Sequence, residues 1–252
     1  VSQFTPVWNV ELNGVAITDS VLASMSITSG RTNIYEQAVA GYCNLTILNL
    51  NQTLITATVN DSISVELKNS SNVFIPIFGG TLTDIGVEVA DVGGIGYTQR
   101  ITLVALGALS RLPKKLVDGV LPQEFDGDQI YDVLKDILFE RWNEVPAALQ
   151  WQNVDPTLQW NDAFNTGLGQ IDQPGDYELA ARTSSRTDAY SLVSALATSG
   201  LGYLFENSSG QICYADSTHR AQYLSTNGYV QLSANNAQGT GIAIKTRAGD
   251  IR

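Results

Sequence analysis

A chain of 252 residues with 44% hydrophobic residues is long enough for two modest domains or one large β domain. Charged residues make up 15%, against roughly 25% in ordinary soluble proteins. The net charge is −11 and the only adjacent basic pair is Lys114–Lys115, which argues against tight nucleic-acid binding, because phosphate contacts need Lys and Arg. Ser, Thr, Asn and Gln replace the missing charges, which suits a β-rich chain whose faces are covered by partners.

No stretch approaches 18 consecutive apolar residues, so no membrane span is expected, and no signal peptide is visible. The first residue is Val1, which reads as a processed or truncated start. Cys43 and Cys213 lie far apart in strand-like surroundings and read as two buried thiols rather than a disulfide.

The chain opens on a hairpin. Val7, Asn9 and Glu11 alternate with Trp8, Val10 and Leu12, and Asn13-Gly14 returns the chain to Val15 and Ile17. Ser24 to Arg31 forms a second strand and Gly41 to Leu48 a third, separated by an irregular stretch from Thr32 to Ala40. Asn49 to Val59 has no clean period. After an Asn60-Asp61 turn, Ile63, Val65 and Leu67 alternate with Ser62, Ser64 and Glu66. Asn69 to Asn72 is a turn.

Ile75 to Leu109 is the longest patterned stretch. Two alternating runs flank the glycine-rich connection Gly93–Gly96, and the phase slips near Asp84–Gly86, where a bulge is needed. Gly79-Gly80 supplies freedom at a bend. These strands predict an N-terminal antiparallel β-barrel over residues 1–110, with Ile75–Leu109 as its closing hairpin.

Pro113, Lys114, Lys115, Gly119 and Pro122 mark a linker over 111–125. A smaller α+β domain over 126–252 follows. Its first helix, near 127–142, has Asp126 as N-cap with Gln129 three residues on, a capping-box arrangement. Ile130, Val133, Leu134, Ile137 and Leu138 line one face. Trp151, Trp160 and Phe164 pin a loop-rich segment, and Asp176 to Arg182 is a short strand. A second helix near 186–199 is capped by Ser184 or Ser185, presents Ala189, Leu192, Val193, Leu196 and Ala197, and ends at Gly200. A hairpin near 202–216 turns at Asn207–Gly210, and Tyr229–Leu232 and Ile242–Ile244 are two last strands. The fold class is mainly β with an α+β second part.

The residues offer little chemistry. His219 is the one histidine, and no Gly-x-Ser-x-Gly elbow accompanies it, so it reads as a structural loop residue. One histidine and two distant cysteines exclude a zinc cluster. Glu124-Phe125-Asp126-Gly127-Asp128 resembles part of a calcium loop, but a helix start explains Asp126 and Asp128 better. Gly79-Gly80 and Gly93–Gly96 precede no helix, so they are not phosphate cradles. Trp151, Trp160 and Tyr203 could stack on sugars or anchor a core. No catalytic, cofactor-binding or metal-ligating residue is assigned, no cofactor is expected, and the chain reads as a non-enzyme.

Several stretches together resemble a known family. They are Asn13-Gly14-Val15 through Gly30-Arg31, Gly41 to Thr46, Ile77 to Ile85 with its G-x-x-x-D-I pattern from Gly80, and the helix and hairpin from Ala189 to Arg220. This pattern resembles the minor tail proteins of tailed bacteriophages, of the baseplate-hub or tail-hub type. The resemblance implies a structural subunit of the virion tail, assembled in the host cytoplasm. It would join the tail tube or distal tail protein above to spike or fibre proteins below and leave a channel for DNA as passing cargo. It implies a homotrimer whose two barrel-like domains adapt threefold to sixfold symmetry. Here a second barrel would be short, completed by another chain, or absent. A hexameric distal-tail or tube-like ring is the alternative in the same class, and a carbohydrate-binding receptor module the alternative in another. The ring's inner face is expected to be net acidic.

Overall fold

The fold was determined as a computed structural model. It describes residues 7–17, 21–50, 55–69, 71–91, 97–138 and 171–219, with isolated positions 221, 224, 225 and 228. The chain divides into two compact units, Val1–His219 and Arg220–Arg252. Everything below concerns the first. The sequence-based boundary at 110 falls inside that unit.

Seven strands form one antiparallel sheet: β1 (Trp8–Leu12), β2 (Val15–Ala16), β3 (Val21–Gly30), β4 (Val39–Asn49), β5 (Ser62–Lys68), β6 (Phe74–Asp91) and β7 (Tyr97–Leu106). Their order is β2-β1-β5-β6-β7-β4-β3. The opening turn is as expected, with positive φ at both Asn13 (50°) and Gly14 (75°), the geometry of a two-residue hairpin. Alternate residues pack into one core: Val10 and Leu12 from β1, Ile63 and Val65 from β5, Leu82 from β6, Ile101 and Leu103 from β7, and Cys43, Leu45 and Ile47 from β4.

The expected closed barrel is not found. The sheet is open in order, with β2 and β3 at its ends and no pairing between them among the described residues. Alternation reports a one-sided core, and an open sheet satisfies that pattern as well as a barrel does. The predicted bulge is present two residues early, between Leu82 and Asp84. A second lies opposite Val65 and Glu66, where Pro76 enters β6. Proline has no N–H to give the ladder, so a break in register is where it is tolerated.

Gly79-Gly80 does not make a bend. Both residues sit in mid-strand, opposite Ser64 and Ile63. A Cβ on Gly79 would strike the backbone of Ser209 and Gly210, and one on Gly80 the Leu106 carbonyl and the Phe78 ring. Close approach, not turning, requires glycine here.

The 111–125 stretch is also more than a connection. A 3-10 helix, Ala108–Lys114, buries Ala108, Leu109 and Leu112 and contains Pro113. Then β8 (Leu116–Val117) and β9 (Glu124–Phe125) run to α1 (Asp126–Leu138). After residue 170, β10 (Glu178–Leu179) pairs with β9, and β11 (Thr187–Asp188) pairs with β8. Next come α2 (Ala189–Ser199) and the hairpin β12 (Tyr203–Glu206) with β13 (Ile212–Ala215). Leu109, Leu112, Ile130, Leu134, Leu192, Val193, Leu204 and Tyr214 share a second core. The end of α1 expected near 142, the aromatic segment with Trp151, Trp160 and Phe164, the loop Gly93–Gly96 and the strands 229–232 and 242–244 lie outside the described residues.

Candidate functional site

Three features stand out: a buried polar cluster under α1, a carboxylate between the two cores, and an open sheet edge. The first begins at Asp126. It is fully buried at the start of α1, yet it does not cap the helix as expected. Its Oδ1 accepts from the backbone N–H of Asp176 (2.9 Å) and of Tyr177 (3.3 Å), and its Oδ2 accepts from the Tyr214 hydroxyl (2.5 Å). Burial and the neighbouring Asp126 push the Tyr214 hydroxyl far up. Gly175 and Gly200 leave the space this carboxylate occupies, since a Cβ on either would collide with it. All of these bonds come from 50 to 88 residues away in sequence. Asp126 is therefore a tertiary tie and is unavailable as a calcium ligand.

Gln129, the expected second half of the capping box, is also buried and also looks outward. Its Nε2 donates to the Pro122 carbonyl at 2.6 Å and toward those of Leu179 and Ala180. No group of three or more metal-ligating side chains is present among the described residues. Asp128 lies near Glu124 and Asp132, and burial pushes its carboxyl up, with those like charges adding to the shift.

His219 is held rather than exposed in a loop. Its Nδ1 lies 2.7 Å from Asp172 Oδ2, and its backbone N–H donates to Asp216 Oδ1 at 2.8 Å. Asp172 Oδ2 also accepts from the Asp216 N–H at 2.9 Å. Asp172 is buried, and desolvation raises its carboxyl even against the pull of His219. Sequence reasoning passed over Asp172, which sits 47 residues from His219 with no local pattern to mark it. The two hydroxyls before His219 in sequence bond to other carboxylates: Thr218 donates to Asp216 Oδ1 at 2.8 Å and Ser217 to Asp176.

Tyr203, a candidate sugar platform, is covered on one face. The Arg31 guanidinium lies 4.0 Å from its ring centroid, and Phe205 stacks beside it at 5.2 Å. Cys43 and Cys213 are buried thiols as expected, and burial pushes the Cys43 thiol up to about 12.

Between the cores, Glu206 at the end of β12 accepts from the Gly41 N–H (2.9 Å) and from the Leu109 N–H. Burial raises its carboxyl. At the far end of the sheet, β3 pairs on one side only among the described residues, with β4. Its ten residues carry no charge and no proline.

No protein-family model matches the chain, and no match is found among curated protein sequences. Solved structures do match. A 43 kDa tail protein of prophage MuSo2 from Shewanella oneidensis is similar at TM-score 0.50 and 10% identity, over 85% of this chain and 56% of that one. A tail protein from Neisseria meningitidis is similar at TM-score 0.50 and 8% identity, over 84% and 50%. A type VI secretion system component from E. coli is similar at TM-score 0.45 and 12% identity, over 82% and 48%. The chain thus has the fold of phage tail proteins, the class its sequence resembles, and spans about half the length of the structures it matches. At these identities the likeness is one of fold.

Proposed function

We propose that this chain is a structural subunit of a phage tail tip, a hub-type ring protein that joins the tail tube to the tip or spike and leaves a channel for DNA. The observation that carries the reading is the tail-protein fold ending in a long, uncharged edge strand, β3, which pairs only with β4 among the described residues and is bulged near its two ends, at Leu22–Ser24 and Thr28–Gly30. Monomeric proteins blunt such edges with Lys, Pro, bulges or covering segments, and the absence of Lys and Pro from β3 supports pairing of its regular middle with another chain. A homotrimer is the preferred assembly and a hexameric distal-tail ring the alternative. Tube or distal tail protein would lie above and spike or fibre protein below.

The sheet face opposite the core supports the channel. Strand pairing places Glu11, Glu66, Asp84 and Glu88 on it, with Lys68 and Arg100 as the cations. A net acidic face repels phosphate and would let DNA pass without sticking. A non-enzymatic role is part of the proposal, supported by the two hydroxyls beside His219 in sequence, which donate to carboxylates: Thr218 to Asp216 and Ser217 to Asp176. The receptor alternative would rest on Trp151 and Trp160, since Tyr203 is covered by Arg31.

The test is imaging of the intact assembly. Three copies on the tail axis, directly below the tube, support the hub. Six copies would replace it with the ring alternative, and a peripheral position with glycan binding lost in W151A or W160A would favour the receptor.

A further inference from the structure

The two hydrophobic cores share no residue. The chain passes between them at the start of β4, where Ala38, just before the strand, and Ala40 pack with the helical core while Cys43 and Leu45 pack with the sheet core. It passes again after β7, where Ala105 belongs to the sheet core and Ala108 to the other. At this seam the Gly107 N–H donates to the Gly41 carbonyl at 2.8 Å, tying the two passages together. Glu206 reaches both from β12: one oxygen accepts from Gly41 N–H and the other from Leu109 N–H. Gly107 lines this seat, and a Cβ there would occupy the carboxylate's position.

We propose that Glu206 is the lock of a hinge between the seven-stranded sheet and the helical part, fixing the angle at which the two cores meet. Apolar burial is non-directional and sets no angle by itself. A planar carboxylate bonded to two separate chain passages does, because charge-assisted bonds are short and directional. Among the described residues no charged group on a neighbouring element pairs with Glu206, and two of them make further ties across the seam: Arg31, just after β3, lies over Tyr203 on β12, and Arg111 of the 3-10 helix donates to Asn60 beside the sheet. Lys114 closes the 3-10 helix, Glu36 is bonded by Thr32, Asp188 caps α2, and Asp216 on the far side of β13 holds Thr218 and His219. No ion pair to Glu206 is found among the described residues. Burial raises the Glu206 carboxyl, while the Gly41 and Leu109 N–H groups pull it back down. This inference rests on the seam and is independent of the tail role.

Two measurements on the full chain test it. Spin labels at S24C on β3 and S199C on α2 report the distance across the seam, with the native thiols buried. The wild-type background should give one narrow distribution, and E206Q a broad or two-peaked one. Hydrogen exchange at the Gly41 and Leu109 amides should speed up by about tenfold or more in E206Q, while amides of Leu45, Leu103 and Val193 keep their protection. E206D, which keeps the charge but is one methylene short, should open the seam in the same way if E206Q does not fold. A narrow distribution in a folded variant, or loss of protection throughout both cores, would overturn the lock.

Discussion

Asp126 and Tyr214 show how much a single buried pair can organise. The carboxylate collects three bonds from two distant segments, and removing the hydroxyl leaves one oxygen unsatisfied in the core. Y214F is expected to cost about 1–3 kcal/mol in urea unfolding at neutral pH. G200A, which pushes a methyl into the carboxylate, should destabilise by a similar amount or more. Glu206 supplies a pH test. Its folded carboxyl titrates above the ordinary 4.5, so the folded chain holds that proton more tightly than the unfolded chain. The group's contribution is fully present below 4.5 and is lost as pH rises through the folded value. Asp172 and Asp128 shift in the same direction. The stability of wild type minus that of E206Q should therefore fall over this window and level off above it, isolating Glu206 from the other two.

At the scale of elements, the buried faces were legible and the caps were not. Ile130, Val133 and Leu134 in α1, and all five predicted positions of α2, are buried as their spacing requires. The cap of α2 is Asp188 rather than Ser184 or Ser185, and its side chain accepts from Ser191 N–H at 2.8 Å. D188A should cost about 1 kcal/mol, and S185A less than about 0.5 kcal/mol, both read from thermal or urea unfolding. Several acceptors stand near each helix start, and the one that caps is chosen by where the preceding strand ends. Here β11 pairs with β8 up to Asp188, so the helix cannot begin earlier. Gly200 ends α2 without positive φ; the left-handed residue is Leu201, at 56°. Gly200 is glycine because Asp126 lies against it, a reason no local rule for helix ends contains.

For the whole molecule, the open edge makes the strongest demand. Replacing exposed Ser24, Ser26 and Thr28 on β3 by lysine adds charge to a surface that pairs on one side only among the described residues. S24K/S26K/T28K is expected to leave monomer unfolding within about 1 kcal/mol of wild type and, if the proposed ring forms through β3, to abolish it, measured by light scattering and electron microscopy. Rings of unchanged size would show that β3 is not the assembly edge.

Strand positions, the Asn13-Gly14 turn, the one-sided sheet core and the faces of both helices were determined by the sequence itself, because each depends on residues within one or two turns or strands of one another. Whether the sheet closes, which glycines admit a neighbouring backbone, and what Asp126, Gln129, Asp172 and Glu206 bind were decided only in three dimensions. Each of those depends on groups brought together from distant parts of the chain. A buried carboxylate takes whatever donors the packed fold sets beside it, and no spacing along the chain records that.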